Sequence, residues 1–164
     1  MNRSFITLIA AAALTLSATT AIGAEPSPLA EGRTLFESKC ATCHSLERSL
    51  AVKADRAGWE STIKRMIAKG ASIEKAQVEP ILAYLSAKSA FETKCNTCHD
   101  LQRPLTAIKN PEEWRATVVR MAALKPGLVS EADAGAIALY LSLVTPVKAA
   151  APAAPAAPAA PAYK

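Results

Sequence analysis

Two five-residue stretches, CATCH at residues 40–44 and CNTCH at residues 95–99, contain every cysteine and every histidine of the 164-residue chain. In each stretch two thiols lie three positions apart, and an imidazole directly follows the second thiol. This C-x-x-C-H pattern is typical of covalent haem attachment, in which the thiols form thioethers with the vinyl groups and the histidine ligates the iron. The sequence therefore predicts two haem c groups. Their attachment and proximal residues are Cys40, Cys43, His44, Cys95, Cys98 and His99.

Three other chemistries use paired cysteines. One zinc ion could take all four thiols, but that would leave both histidines without a role and would be unusual in an exported chain. A thioredoxin-like redox pair needs alternating strands and helices that this sequence lacks. Two plain disulfides would also leave the histidines unexplained. Haem attachment is the interpretation that uses all six side chains.

The sixth iron ligand is predicted by elimination. Both histidines are used on the proximal side, so a bis-histidine site within this chain is impossible. Apart from Met1, the only methionines are Met66 and Met121, each at the same spacing beyond the first cysteine of its pair. We predict that they ligate the two irons, with ordinary core packing as the alternative use of such a methionine. If a methionine did not reach, the iron would be five-coordinate or would take Lys69 or Lys125.

Ligation by histidine and methionine favours ferrous iron and fills both axial positions. No further histidine and no acid–base pair is marked by its spacing, so the sequence predicts an electron carrier with no catalytic residues. Two alternatives stay open. The chain could be the electron-transfer subunit of a periplasmic dehydrogenase complex, or a haem enzyme or gas sensor with an open iron.

An internal repeat runs through the chain with a constant offset of 55 residues, as between Cys40 and Cys95. The same offset relates the pairs Phe36 and Phe91, Arg48 and Arg103, Trp59 and Trp114, and Met66 and Met121. Two copies of one unit are therefore present. The offset grows by one between Tyr84 and Tyr140, and we expect the extra residue to lie in a loop.

The coarse pattern is helical throughout. Asp55, Asn110 with Pro111, and Ser130 with Asp133 predict helix starts, while Gly70 and the Pro126–Gly127 pair predict helix ends. Because no Gly or Pro occurs in residues 81–95, one helix should serve both copies. We predict an all-α fold of two tandem cytochrome c-like helical modules that share a connecting helix. The modules span residues 25–86 and 87–146.

Aromatic and cationic residues of the repeat have weaker assignments. Phe36 should contact Tyr84, and Phe91 should contact Tyr140. The two tryptophans should pack in the core or donate to a haem propionate. Four arginines could neutralise propionates or lie on a solvated face. These are Arg48, Arg65, Arg103 and Arg120.

The chain ends predict location. Residues 1–24 have Arg3, an apolar run and small residues at the end, which is typical of a cleaved secretory signal peptide. Residues 147–164 are an Ala/Pro-rich stretch that predicts a disordered tail. We therefore expect a periplasmic protein with no stable membrane insertion after cleavage.

Charge narrows the range of partners. Arg3 is the only charged residue that cleavage would remove, so the net charge would fall from +5 to +4. No basic block marks a nucleic-acid site, and four propionates would offset the remaining excess. We expect the partners to be periplasmic redox proteins, with a dehydrogenase or cytochrome as donor and an oxidase or reductase as acceptor.

Residues 29–144 resemble the class I cytochrome c family: Gly32 and Phe36 match its first helix, and AYLS or LYLS its last. The stretches CHSLER and GWESTIKRM, with their second copies, are similar to the small di-haem domain of quinohaemoprotein amine dehydrogenases and related short di-haem cytochromes. The resemblance implies the cysteine, histidine and methionine roles given above. The chain departs from these families in three ways. No Gly-Pro follows either C-x-x-C-H stretch. In the second copy Ala87 stands in place of the first-helix glycine. One haem of the dehydrogenases is expected to have two histidine ligands, and this chain has no further histidine to supply the second.

Overall fold

The computed structural model describes residues 27–147, and their regular structure is helical apart from one isolated bridge between Lys109 and Val147. The helices are α1 (Pro28–Leu35), α2 (Leu46–Leu50), α3 (Arg56–Ala68), α4 (Lys75–Lys94), α5 (Gln102–Leu105), α6 (Pro111–Leu124) and α7 (Glu131–Val144). The predicted all-α class is confirmed. The predicted signal peptide lies outside the described residues, as does the predicted tail beyond Val147. No helix within residues 27–147 is long and apolar enough to cross a membrane.

The predicted helix starts are confirmed by their capping bonds. The Asp55 carboxylate accepts the N–H of Gly58 at 2.8 Å at the start of α3. Asn110 accepts the N–H of Glu113 at 2.8 Å at the start of α6, and Ser130 caps α7 in the same way. Each bond satisfies a backbone donor that the first helical turn would otherwise leave unpaired.

The predicted helix ends are confirmed by two glycines. Gly70 and Gly127 have φ values of 95° and 84°, a left-handed conformation that costs glycine little. Helix α3 has 13 residues and α6 has 14. The extra residue of the second copy therefore lies where α6 meets the loop that follows it. A residue can be added there without moving the buried face of the helix.

Helix α4 is the centre of the fold and packs against α1, α3 and α7. It runs without interruption through residues 81–94, as the sequence predicts, and it begins earlier, so that Pro80 lies inside it. Gly32 of α1 lies directly against the Pro80 carbonyl group, where a β-carbon would overlap it. The absence of a side chain at Gly32 thus sets the close approach of these two helices.

Aromatic residues join the helices around α4. The rings of Phe36 and Tyr84 have their centroids 5.8 Å apart, and those of Phe91 and Tyr140 are 5.6 Å apart. Both contacts predicted from the repeat are confirmed. All four side chains are buried and belong to one continuous apolar core.

Candidate functional site

The residues predicted to bind a cofactor line two separate cavities. The first has a volume of about 450 Å³ and is lined by Cys40, Cys43, His44 and Met66, among others. The second has a volume of about 470 Å³, and it is lined by the matching residues Cys95, Cys98, His99 and Met121. Both volumes fall within the range of about 300–1,000 Å³ usual for ligand pockets. Residues from distant parts of the sequence are thus brought together twice, in the same combination.

The backbone changes form where each cysteine pair begins. After α1 the helix widens into a π turn over Phe36–Cys40, and after α4 it tightens into a 3₁₀ turn over Cys95–Thr97. In the π turn the Ser38 hydroxyl donates to the carbonyl oxygen of Thr34 at 2.8 Å. Departures from the α-helix of this kind often occur at functional sites.

The thiols are placed as pairs with one half-buried member and one exposed member. Cys40 and Cys95 are half-buried, Cys43 and Cys98 are exposed, and none forms a disulfide. Burial raises the pKa of the Cys40 and Cys95 thiols. A thioredoxin-like pair needs the opposite shift to produce its thiolate, so these surroundings do not favour that alternative.

The cysteine pairs also line different cavities, which does not suit a single zinc ion held by all four thiols. Within residues 27–147, no three or more His, Cys, Asp or Glu side chains cluster so as to hold a metal ion.

Both histidine rings are oriented by the backbone that follows them. Nδ1 of His44 lies 3.0 Å from the carbonyl oxygen of Ser45, and Nδ1 of His99 lies 2.8 Å from that of Asp100. A carbonyl oxygen only accepts, so Nδ1 carries the proton and donates in both pairs. In the neutral ring Nε2 is then the nitrogen without a proton, and its lone pair can bind a metal. The next carbonyl along the chain thus orients the ring without the Gly-Pro that the sequence lacks.

The methionines lie on α3 and α6, in the walls of the two cavities. Met66 is partly buried, whereas Met121 is 39% exposed. The two walls therefore differ in how far solvent reaches the thioether. The repeat in the sequence gives no sign of this difference.

The tryptophans hold these helices in place. Trp59 Nε1 donates to Ser89 Oγ at 2.8 Å, and Trp114 Nε1 donates to Thr145 Oγ1 at 2.9 Å. Both bonds are buried, so each indole N–H is already used within the protein. The predicted core role of the tryptophans is confirmed. The hydroxyl partners were not predicted, although Thr145 follows Ser89 by the same 56 residues that separate Tyr140 from Tyr84.

Cations surround both cavities, and no Asp or Glu of the described residues lines either one. Arg48 and Arg65 line the first cavity, and Arg103 and Arg120 line the second, so the four arginines singled out from the repeat all lie at cavity walls. The sequence reasoning missed several further polar lining residues. They include Lys39, Lys94 and Lys109, and the hydroxyl residues Thr62 and Thr117. The constant offset could have found Lys39 with Lys94 and Thr62 with Thr117.

Each cavity therefore combines apolar walls, a cationic mouth, two thiols, one imidazole with a free nitrogen lone pair, and one thioether. Such a combination suits a large, mostly apolar ligand that carries anionic groups and a metal. Comparison of the chain with protein-family models, with curated proteins and with solved structures gives no match.

Proposed function

We propose that this chain is a periplasmic di-haem c-type cytochrome that carries single electrons between redox proteins. The proposal includes the two tandem cytochrome c-like modules that share α4, each with one haem cavity. It is not an enzyme in this proposal, and it needs no substrate besides its redox partners.

One observation carries the proposal: both histidine rings donate from Nδ1 to a carbonyl oxygen at the mouth of a cavity lined by two thiols. This bond selects the tautomer that an iron ligand requires. It occurs twice, at equivalent positions, although the carbonyl groups belong to the different residues Ser45 and Asp100.

The remaining residues of each cavity fit a haem. The thiols would form the thioether bonds, and Nε2 of His44 or His99 would take the proximal position. Met66 or Met121 would supply the second axial ligand. The arginines that line the cavities would pair with propionates.

A bound haem supplies a reversible one-electron couple, and the chain's own residues set its surroundings. The apolar walls would keep water from a bound iron, and a thioether ligand would favour the ferrous state. The indole bonds hold α3 against α4 and α6 against the end of α7. They keep each methionine at a fixed depth.

The test is the covalent haem content of the full chain expressed with its own signal peptide in a host that matures c-type cytochromes. We expect the purified protein to carry two haems by mass spectrometry and by its reduced alkaline pyridine spectrum. The double variant Cys40→Ala/Cys43→Ala should lose one haem, and Cys95→Ala/Cys98→Ala should lose the other. Colourless protein with the mass of the bare polypeptide would overturn the proposal.

A second candidate is a haem enzyme or gas sensor, in which one iron would keep an open axial position. Met121, the more exposed of the two methionines, is the residue to test for it. A carbon monoxide difference spectrum of the ferrous protein decides between them. A firmly ligated carrier gives no carbon monoxide complex. If the wild type binds carbon monoxide at one haem and Met121→Ala binds no more than the wild type, the open iron lies in the second cavity.

A further inference from the structure

Four aromatic rings form an unbroken chain between the two cavities. The ring centroids of Phe36 and Tyr84 are 5.8 Å apart, those of Tyr84 and Tyr140 are 5.9 Å apart, and those of Tyr140 and Phe91 are 5.6 Å apart. The two outer contacts lie within the repeated units. The central contact, between Tyr84 of α4 and Tyr140 of α7, joins the two units, and no feature of the repeat predicts it.

The ring chain, defined by Phe36, Tyr84, Tyr140 and Phe91, begins and ends at the proposed haem sites. Phe36 lines the first cavity, and Phe91 lines the second. All four side chains are buried, with exposures between 1% and 7%. Water is therefore excluded along the whole route, and the rings are in tilted contact with interplanar angles of 37° to 46°.

The rings in the middle of this chain are neutral phenols. Burial is the main cause that raises the pKa of both Tyr84 and Tyr140. The charged groups that face them are Arg33, Glu37 and Glu92. Because loss of the phenolic proton is disfavoured here, the tyrosines do not become phenolates on which charge could rest.

We propose that this ring chain is the route along which an electron passes between the two haem sites, an inference that rests on the proposed function. One electron leaves the ferrous iron at one site and reduces the ferric iron at the other. No bond forms or breaks and no proton moves. The rings provide a contiguous polarisable contact and are not themselves oxidised. Their role is positioning and electronic contact, not ligation.

The test uses the full chain with both haems attached and with Met121→His as background. An imidazole in place of the thioether lowers the potential of the second site and changes its spectrum, so the two sites become distinguishable. A sub-stoichiometric reducing pulse delivers at most one electron to each molecule, and an electron that enters at the second site then moves to the oxidised first site. Time-resolved absorbance gives the first-order rate of this transfer. Spectroelectrochemistry gives the two potentials, and near-ultraviolet circular dichroism reports on ring packing.

Tyr84→Leu and Tyr140→Leu break the ring chain, and we expect each to slow the transfer severalfold at unchanged potentials. Tyr84→Phe keeps the ring and should retain the parental rate. Leu82→Ala is the control for lost core volume, because Leu82 is buried on the same helix and lines neither cavity. Tyr84→Met is a further non-aromatic variant of similar size, which keeps the test available if a leucine variant does not fold.

Two results overturn the inference. Either the non-aromatic variants transfer at the parental rate, or Leu82→Ala slows the transfer as much as they do. Both results leave the proposed function intact. Absence of covalent haem from the wild-type chain would instead overturn the proposed function, and this inference with it.

Discussion

Gly32 of α1 packs so closely on the carbonyl group of Pro80 in α4 that a β-carbon at position 32 would overlap the carbonyl carbon and oxygen. The obstacle is backbone, which cannot rotate away as a flexible side chain could. The two helices must therefore separate to admit even one methyl group. Since α1 leads directly into the first cysteine pair, their separation would also shift one wall of the first cavity.

Gly32→Ala should reduce the free energy of unfolding by about 1–3 kcal/mol, the usual cost of forcing extra volume into a packed core. Gly135→Ala is the matched control, because Gly135 lies in the interior of α7 and a β-carbon there meets nothing within 4 Å. That variant should be more stable by about 0.5–1 kcal/mol, since alanine loses less backbone entropy in a helix. Urea unfolding of both proteins is the measurement. Equal effects of the two substitutions would contradict this account of the contact.

The buried bond between Trp59 and Ser89 predicts coupled effects on stability. Trp59→Phe leaves the Ser89 hydroxyl, on a residue that is 3% exposed, without its donor. An unpaired buried polar group costs about 1–3 kcal/mol. Ser89→Ala should cost a similar amount, because it leaves the indole N–H unpaired. The double variant should cost clearly less than the sum of the two. Additive losses in a double-mutant cycle would show that the bond does not stabilise the fold.

Lys88 is a buried cation on α4, 7% exposed. Its ammonium group donates to Glu92 Oε1 at 2.7 Å and to the Leu50 carbonyl oxygen at 2.9 Å. Lys88→Met leaves the Glu92 carboxylate partly buried with no counter-ion, and breaking a buried pair in this way costs about 3–5 kcal/mol. Lys88→Met/Glu92→Leu should recover most of that loss, because the isolated charge is removed. Thermal unfolding of both variants is the check, and a double variant no more stable than the single one would refute the explanation.

Asp133 predicts a dependence of stability on pH. Burial disfavours its charge, but hydrogen bonds from Lys94 and Ser130 outweigh burial and hold the pKa of Asp133 below its ordinary value. A lowered pKa in the folded state stabilises the protein above the unfolded pKa of about 3.9, and this contribution is lost as the pH falls through the folded value. The stability difference between wild type and Asp133→Asn should therefore be fully present at about pH 6 to 7, because these values lie well above the unfolded pKa. It should vanish in strong acid. A difference that stays constant across this range would exclude the linkage.

Methionine ligation predicts a spectroscopic loss in the haem-loaded protein. The oxidised protein should show the weak iron-to-sulfur charge-transfer band, and Met66→Ala and Met121→Ala should each remove about half of it, because each would remove one of two thioether ligands. Val52→Ala is the control, since Val52 lines the first cavity and its alkyl side chain cannot ligate iron. If neither methionine variant alters the band, the ligand assignment is wrong, while two-haem attachment could still stand.

Local patterns predicted much of this molecule. The caps at Asp55, Asn110 and Ser130 involve residues within one turn of each other, so sequence alone identifies them. The repeat relates Phe36 to Phe91 and Tyr84 to Tyr140, so the contact within the first copy and its counterpart in the second could be predicted together. The Tyr84 contact with Tyr140 escaped prediction because it depends on how α7 packs against α4.

The indole partners and Lys88 also escaped, for a related reason. Ser89 and Thr145 are small polar residues whose burial is decided by tertiary packing. Lys88 would be expected at the surface from its residue type alone. The greater exposure of Met121 relative to Met66 belongs to the same class, since equivalent positions of a repeat need not have equivalent neighbours.

Helix α4 is both the last helix of the first repeat copy and the first helix of the second. Cutting the chain at residue 86, where the repeat divides, would split this helix, and each fragment would lose a wall of its apolar interior. The smallest piece that could be moved intact into another protein is therefore the segment that contains both copies of the repeat. A protein with more copies would need one further helix for each added copy, shared with the copy before it as α4 is shared here.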